Sequence, residues 1–201
     1  DRGHPAADLN RSLSMRHKLR WAVAPLLAMA LAGCGDGAGK ADGTGAAEPS
    51  NRTLAATLKG DRAFGTLERV LDNAALGDVL DGTGPYTVFA PADAAFGAAA
   101  GDLADESMKA PAAALLRAHI VPGALTRADI EAAIAREGSG QVQMRTMANG
   151  LLTFSKEGET VIVAGDNGAR ARLTGSETLA SNGVVQPVDA LLVGPAPAAA
   201  N

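Results

Sequence analysis

The fold is decided by GPYTVFAPADAAF, Gly84 to Phe96. Tyr86 to Ala90 is rich in β-forming side chains and reads as a strand that Pro91 stops. ADAAFGAAA, residues 92–100, follows as a short helical segment with Asp93 in its first turn, where a carboxylate offsets the helix dipole. The chain of 201 residues holds one Trp, one Tyr and four Phe, and Tyr86, Phe89 and Phe96 all fall in this stretch. A chain so poor in large side chains needs them inside, so the three read as core rather than as an exposed patch.

Upstream of this stretch the pattern is helical. TLAATL (Thr53 to Leu58) is a short helix with a Thr start. Asp61 is a candidate N-cap, after which Phe64, Leu67, Val70 and Leu71 recur at three- and four-residue spacings on one face. A second short helix, Asn73 to Leu80, ends at the DGTGP turn. Downstream, a longer helix opens at Asp105 or Ser107 and reaches about Ala118, with Leu115 and Leu116 inward. HIVPGALT (His119 to Thr126) is extended and turns at Pro122-Gly123. Thr126 with Asp129 makes a capping-box start for a helix closed by Gly138.

From Gln141 the period changes from helical to alternating. QVQMRTM is a strand, Asn149-Gly150 a hairpin turn, and LLTFS the returning strand. TVIVAG (Thr160 to Gly165), a turn at Asp166 to Gly168, and ARARLT follow. SNGVVQPVDALLVGP gives a turn at Ser181 to Gly183 and a β-rich end that Pro187 interrupts. Helices first and hairpins last is an α+β pattern, one domain over 53–195 with a largely antiparallel sheet.

Composition narrows the function classes. Hydrophobic content of 47% supports a buried core of mostly Ala, Leu and Val. The single cysteine, Cys34, permits no disulfide within one chain, and three scattered histidines give no zinc spacing, so no metal or other cofactor is expected. From Cys34 onward thirteen Lys/Arg face twenty Asp/Glu, a net of −7. That acidic body lacks the basic stripe a nucleic acid would need.

The amino terminus reads as an address. In MRHKLRWAVAPLLAMALAGCG (Met15 to Gly35), Arg16, Lys18 and Arg20 precede an apolar run from Trp21 to Ala32. The run is too short to cross a bilayer, which takes about 20 apolar residues, but it suits the apolar segment of a secretory signal. Ala32 and Gly33 before Cys34 resemble the lipobox of bacterial lipoproteins, in which the cysteine is acylated and the signal cut before it. Several acyl chains satisfy the rule that stable anchoring needs more than one. On this reading 1–14 is an upstream extension foreign to the native protein and 15–33 a lipoprotein signal peptide. Residues 34–52 are the lipidated Cys and a Gly/Ala/Asp-rich flexible tether, and 196–201 is a disordered tail.

Three blocks in the body resemble the fasciclin-like (beta-Ig-H3/fasciclin) family. TVFAPADAAF (Thr87 to Phe96) resembles its first block, LLRAHIVPGALT (Leu115 to Thr126) its central one and LASNGVVQPVDALLV (Leu179 to Val193) its closing one. The resemblance spans about 140 residues of the body. It implies a helical layer packed on a β-wedge, used on cell surfaces for adhesion, matrix association and partner binding, with no common catalytic activity. Two positions depart from the pattern. Ala118 stands where a Tyr often precedes His119, and Gln186, next to Pro187, stands where the closing block often has His.

Three functions are therefore weighed. The first is a non-enzymatic, lipid-anchored domain of the cell envelope, in the periplasm or at the surface, that binds a protein or polysaccharide partner, with Cys34 as the lipidation site and His119 as a possible contact. The alternative is a periplasmic domain for a small apolar ligand. The third is a hydrolase built on Asp93 and His119, for which no nucleophile elbow of the G-x-S-x-G kind occurs. Read for structure alone, His119 is a half-buried ring bonding backbone near a helix end. Gly138 to Gly140 reads as loop punctuation and Asp166 to Gly168 as a turn, not as phosphate or calcium loops.

Overall fold

The computed structural model describes residues 50–97 and 99–193. Cys34, the signal segment, the extension before it and the tail at 196–201 lie outside the described residues.

Short helices lead. They are α1 (Leu54–Lys59), α2 (Gly65–Ala74) and α3 (Gly77–Asp81), the first two separated by a 3-10 turn at Arg62–Phe64. Thr53 caps α1 by accepting from Ala56 N, and Asp61 caps the 3-10 turn by accepting from Ala63 N. α2 buries Leu67, Val70 and Leu71 on one face, as their spacing requires. After β1 (Tyr86–Pro91) come α4 (Asp93–Phe96), α5 (Ala99–Asp102), α6 (Lys109–Ala118), β2 (Ile120–Pro122) and α7 (Arg127–Arg136). Thr126 and Asp129 form the expected capping box on α7. The strands β3 (Gln141–Arg145), β4 (Leu151–Glu157), β5 (Thr160–Gly165), β6 (Arg170–Arg172), β7 (Thr178–Ala180) and β8 (Gly183–Val188) complete the chain.

The strands make two four-stranded sheets, in the orders β2-β1-β8-β7 and β3-β4-β5-β6. The second is a plain antiparallel meander. In the first, β1 and β8 lie side by side in parallel, Tyr86 opposite Gly183 through Pro91 opposite Val188. The last strand thus returns to the first across about a hundred residues. Gly183 is required there, because a Cβ would collide with the Tyr86 carbonyl.

β1 divides the core, since alternate side chains of a strand point to opposite faces. Val88 and Ala90 join Leu67, Leu71, Phe96 and Leu116 under the helices. Phe89 enters a second cluster with Phe154, Val163, Ile130 and Leu192, and the Phe89 and Phe154 rings sit 5.2 Å apart at 44°. Phe89 and Phe96 are buried and Tyr86 is half-buried, so the aromatics serve as core on both sides of one strand. The result is a helical layer on a β-wedge.

Three local expectations change. Pro187 does not interrupt its strand, because β8 runs through it to Val188. Its carbonyl accepts from Thr174 N, so its nitrogen also points away from β1, past the end of β7, where no ladder bond is lost. Asn149-Gly150 is not a two-residue hairpin turn. Arg145 pairs with Leu151, leaving a five-residue connection in which Asn149 alone takes positive φ, at 64°. The tether also ends earlier than its composition indicates. Ser50 N donates to the Leu179 carbonyl and Ser181 N to that of Arg52, so residues 50–52 line the margin of β7.

Candidate functional site

His119 sits where α6 gives way to β2, next to β1 and the closing segment. Its ring is 1% exposed, deeper than the half-buried position expected. Nδ1 lies 2.9 Å from the Leu115 carbonyl, which can only accept, so Nδ1 carries the proton. Nε2 accepts from Leu192 N at 2.9 Å. The His119 backbone carbonyl accepts from Phe89 N. One residue therefore ties the end of α6, strand β1 and the closing segment together. Burial lowers its pKa from 6.5 to about 4, against a smaller opposing effect of the Leu115 hydrogen bond, so the ring is neutral at pH 7. With both nitrogens satisfied and no surface, the side chain is an internal strut and offers no contact to a partner.

Asp93 is exposed at the start of α4, but its carboxylate serves another helix. Oδ1 accepts from Thr66 N at 2.7 Å, capping the first turn of α2. Both ring nitrogens of His119 are bonded elsewhere, to Leu115 and Leu192, so the Asp93–His119 bond a hydrolase would use is not formed.

Most of the other polar residues that matter were silent in the sequence. Gln186 is fully buried beside Phe89, its Nε2 donating to the Leu125 carbonyl at 3.1 Å and to Glu177 at 2.6 Å. Glu177 also accepts from Arg127 N at 2.6 Å, at the start of α7, and the Arg127 guanidinium donates to the carbonyls of Thr174 and Gly175. The departure from His at this position is thus filled by an amide whose two hydrogens clamp a carboxylate and a loop. Asn182 accepts from Leu54 N and donates to the carbonyls of Leu80 and Gly82, closing β8 onto α1 and α3. Thr87 Oγ1 donates to the Gly123 carbonyl and accepts from Leu125 N, fixing the turn after β2. Only the departure at Gln186 was visible beforehand. The others look like ordinary strand and turn residues until their distant partners arrive.

The remaining candidates keep structural roles. Asn167 accepts from Ala169 N within the Asp166 to Gly168 turn. Among the described residues no three His, Cys, Asp or Glu side chains converge as metal ligands. A hollow of about 400 Å³ beside β6 is open and edged by Glu157, Arg170, Arg172 and Asp189, over Ile162 and Ala190. Arg170 pairs with Glu157 at 2.6 Å and Arg172 with Asp189 at 3.8 Å. Such a rim does not suit the apolar ligand of the alternative reading. No helix among the described residues is long and apolar enough to cross a membrane.

These features define an α+β domain whose buried polar side chains hold its elements together. The model of the fasciclin domain matches residues 62–194, and the chain belongs to that family, which is associated with cell adhesion and interaction. It is 30% identical over 155 residues to Protein sll1483 of Synechocystis, covering 75% of this chain and 78% of that protein. It is 31% identical over 157 residues to human Stabilin-1, covering 72% of this chain but 5% of that much longer protein. Among solved structures, a FAS1 domain pair from the insect cell adhesion molecule Fasciclin I superposes with a TM-score of 0.62 at 17% identity. That match covers 71% of this chain and 51% of the pair, and it establishes the likeness of fold.

Proposed function

We propose that this chain is a lipid-anchored protein of the cell envelope that presents one fasciclin domain for non-catalytic adhesion or partner binding. The observation that carries the interaction half is the family match over residues 62–194. The commitment of His119, Asp93 and Gln186 to internal bonds supports the non-catalytic half. The anchor rests on the basic start, apolar run and lipobox from Met15 to Cys34. The signal takes the chain across the inner membrane, acylation at Cys34 holds it in the envelope, and the tether after Cys34 lets the domain stand off from the bilayer. The partner is a protein or polysaccharide of the envelope or of a neighbouring surface.

The test compares cells carrying the chain with cells carrying Cys34→Ser. Membrane fractions should lose the variant to the soluble fraction, and adhesion or aggregation attributable to the chain should fall with it. Cys34→Ser protein that stays tightly membrane-bound refutes the anchor. Adhesion unchanged when the whole chain is deleted refutes the interaction role.

A further inference from the structure

Of the four margins of the two sheets, three are met by other parts of the chain. Residues 50–52 line β7. Along β6, Asp189 N donates to the Arg172 carbonyl, Arg172 N donates to the Asp189 carboxylate, and Leu173 bridges to Val188. β2 receives Met147 N at the Ile120 carbonyl and ends in Pro122, which has no N–H to offer.

β3 is the exception. Thr146 N donates to the Gly150 carbonyl, and bonded pairs recur at every second residue of an antiparallel ladder. Met144–Leu152 and Val142–Phe154 are therefore the pairs bonded to β4, and Gln141, Gln143 and Arg145 aim their backbone groups at the free margin. Ser139 Oγ meets the N–H and carbonyl of Gln141. The backbone groups of Gln143 and Arg145 have no partner among the described residues. QVQMR also lacks the lysine or proline that commonly blunts a sheet margin, and its inward side chains, Val142 and Met144, are only half-buried.

We infer that this margin pairs with β3 of a second copy, antiparallel, about a two-fold axis at Gln143. The choice of occupant follows from self-complementarity. In this register Gln143 faces its own counterpart, so amide donors meet amide acceptors, and Gln141 faces Arg145 of the other copy. No like charges lie opposite one another. Centring the axis on Arg145 instead sets two guanidinium groups face to face, which destabilises a strand pair, and brings the second copy against β2 at Met147. Centring it on Gln141 puts backbone groups that Ser139 Oγ already meets at the axis itself and leaves Arg145 without a strand partner beside it. The Gln143 register sets free groups against free groups at the axis, lets Gln141 exchange its local contact with Ser139 for Arg145 of the other copy, covers Val142 and Met144 in both copies and joins two sheets into one of eight strands. The inference does not depend on acylation of Cys34.

The test uses the full chain with Cys34→Ser, which removes both acylation and disulfide cross-linking, in sedimentation velocity over a concentration series. The parent should dimerise. Gln143→Lys and Gln143→Glu, which place like charges together at the axis, should each weaken the dimer by about tenfold or more. An equimolar mixture of the two should restore it as a heterodimer. Gln143 is exposed, its backbone makes no bond to β4, and its one side-chain bond, from Nε2 to Thr153 Oγ1 at 3.3 Å, lies on the surface, so the melting temperature of each variant monomer should stay near the parent's. A parent that stays monomeric, variants that associate as the parent does, or a mixture that fails to restore association would each overturn the inference, whichever other partner the margin then proved to bind.

Discussion

Acid should weaken this fold through one residue. His119 is the only histidine among the described residues, and its folded pKa lies near 4 because burial penalises the charged ring. In the unfolded chain the ring takes up a proton near its ordinary 6.5. Between these two values the unfolded state binds more protons than the folded one, so stability falls as pH falls, beginning near 6.5 and complete near 4. At about 1.4 kcal/mol per pH unit the interval amounts to a loss of roughly 3 kcal/mol. Protonation also makes Nε2 a donor facing the Leu192 N–H, so the closing segment should loosen first. Urea unfolding at steps from pH 7.5 to 4.5, monitored by circular dichroism, measures the slope. His119→Gln keeps a donor and an acceptor but cannot titrate, so its profile should be nearly flat across this window. The difference between the two chains isolates His119 from His4 and His17. Equal slopes in the parent and His119→Gln would refute the assignment, as would titration of the His119 imidazole itself near pH 6.5 in the folded protein.

Two other substitutions test the internal struts. Asn182→Ala removes three hydrogen bonds and leaves Leu54 N and the carbonyls of Leu80 and Gly82 without partners, two of these contacts being buried. It should cost about 2–4 kcal/mol in chemical denaturation, and a loss under about 0.5 kcal/mol would show that the three elements close without it. Asp93→Ala removes the cap on α2 and should cost about 1 kcal/mol in the same assay. Unchanged stability with faster amide exchange only in α4 would place its role in its own helix, as the sequence had indicated.

The sequence and the structure agree where the governing forces are local. The apolar face of α2, the caps at Thr53, Asp61 and Thr126, and the change to alternation at Gln141 all depend on neighbours within a few residues. The TVFAPADAAF block was legible too, because a few large side chains in a small-residue chain have nowhere to go but the interior. Failures began where a distant partner decides the outcome. Asp93 read as a first-turn acid serving the dipole of the helix it begins, but the amide it binds lies 27 residues upstream. Pro187 looked like a breaker until β7 proved too short to require its N–H.

By itself the sequence determined an α+β domain with its helices first, an aromatic core around one strand, an acidic body and an amino-terminal pattern of the lipoprotein kind. Periodicity, capping and turn chemistry act through the covalent chain and leave their marks in order along it. Only tertiary structure decided that the last strand lies parallel to the first, that residues 50–52 join β7, and that His119, Asn182 and Gln186 are buried struts rather than surface groups. Whether a polar side chain binds a partner or supports the core depends on which backbone groups closure brings beside it. Those groups lie as far as 128 residues away, beyond the reach of any local pattern.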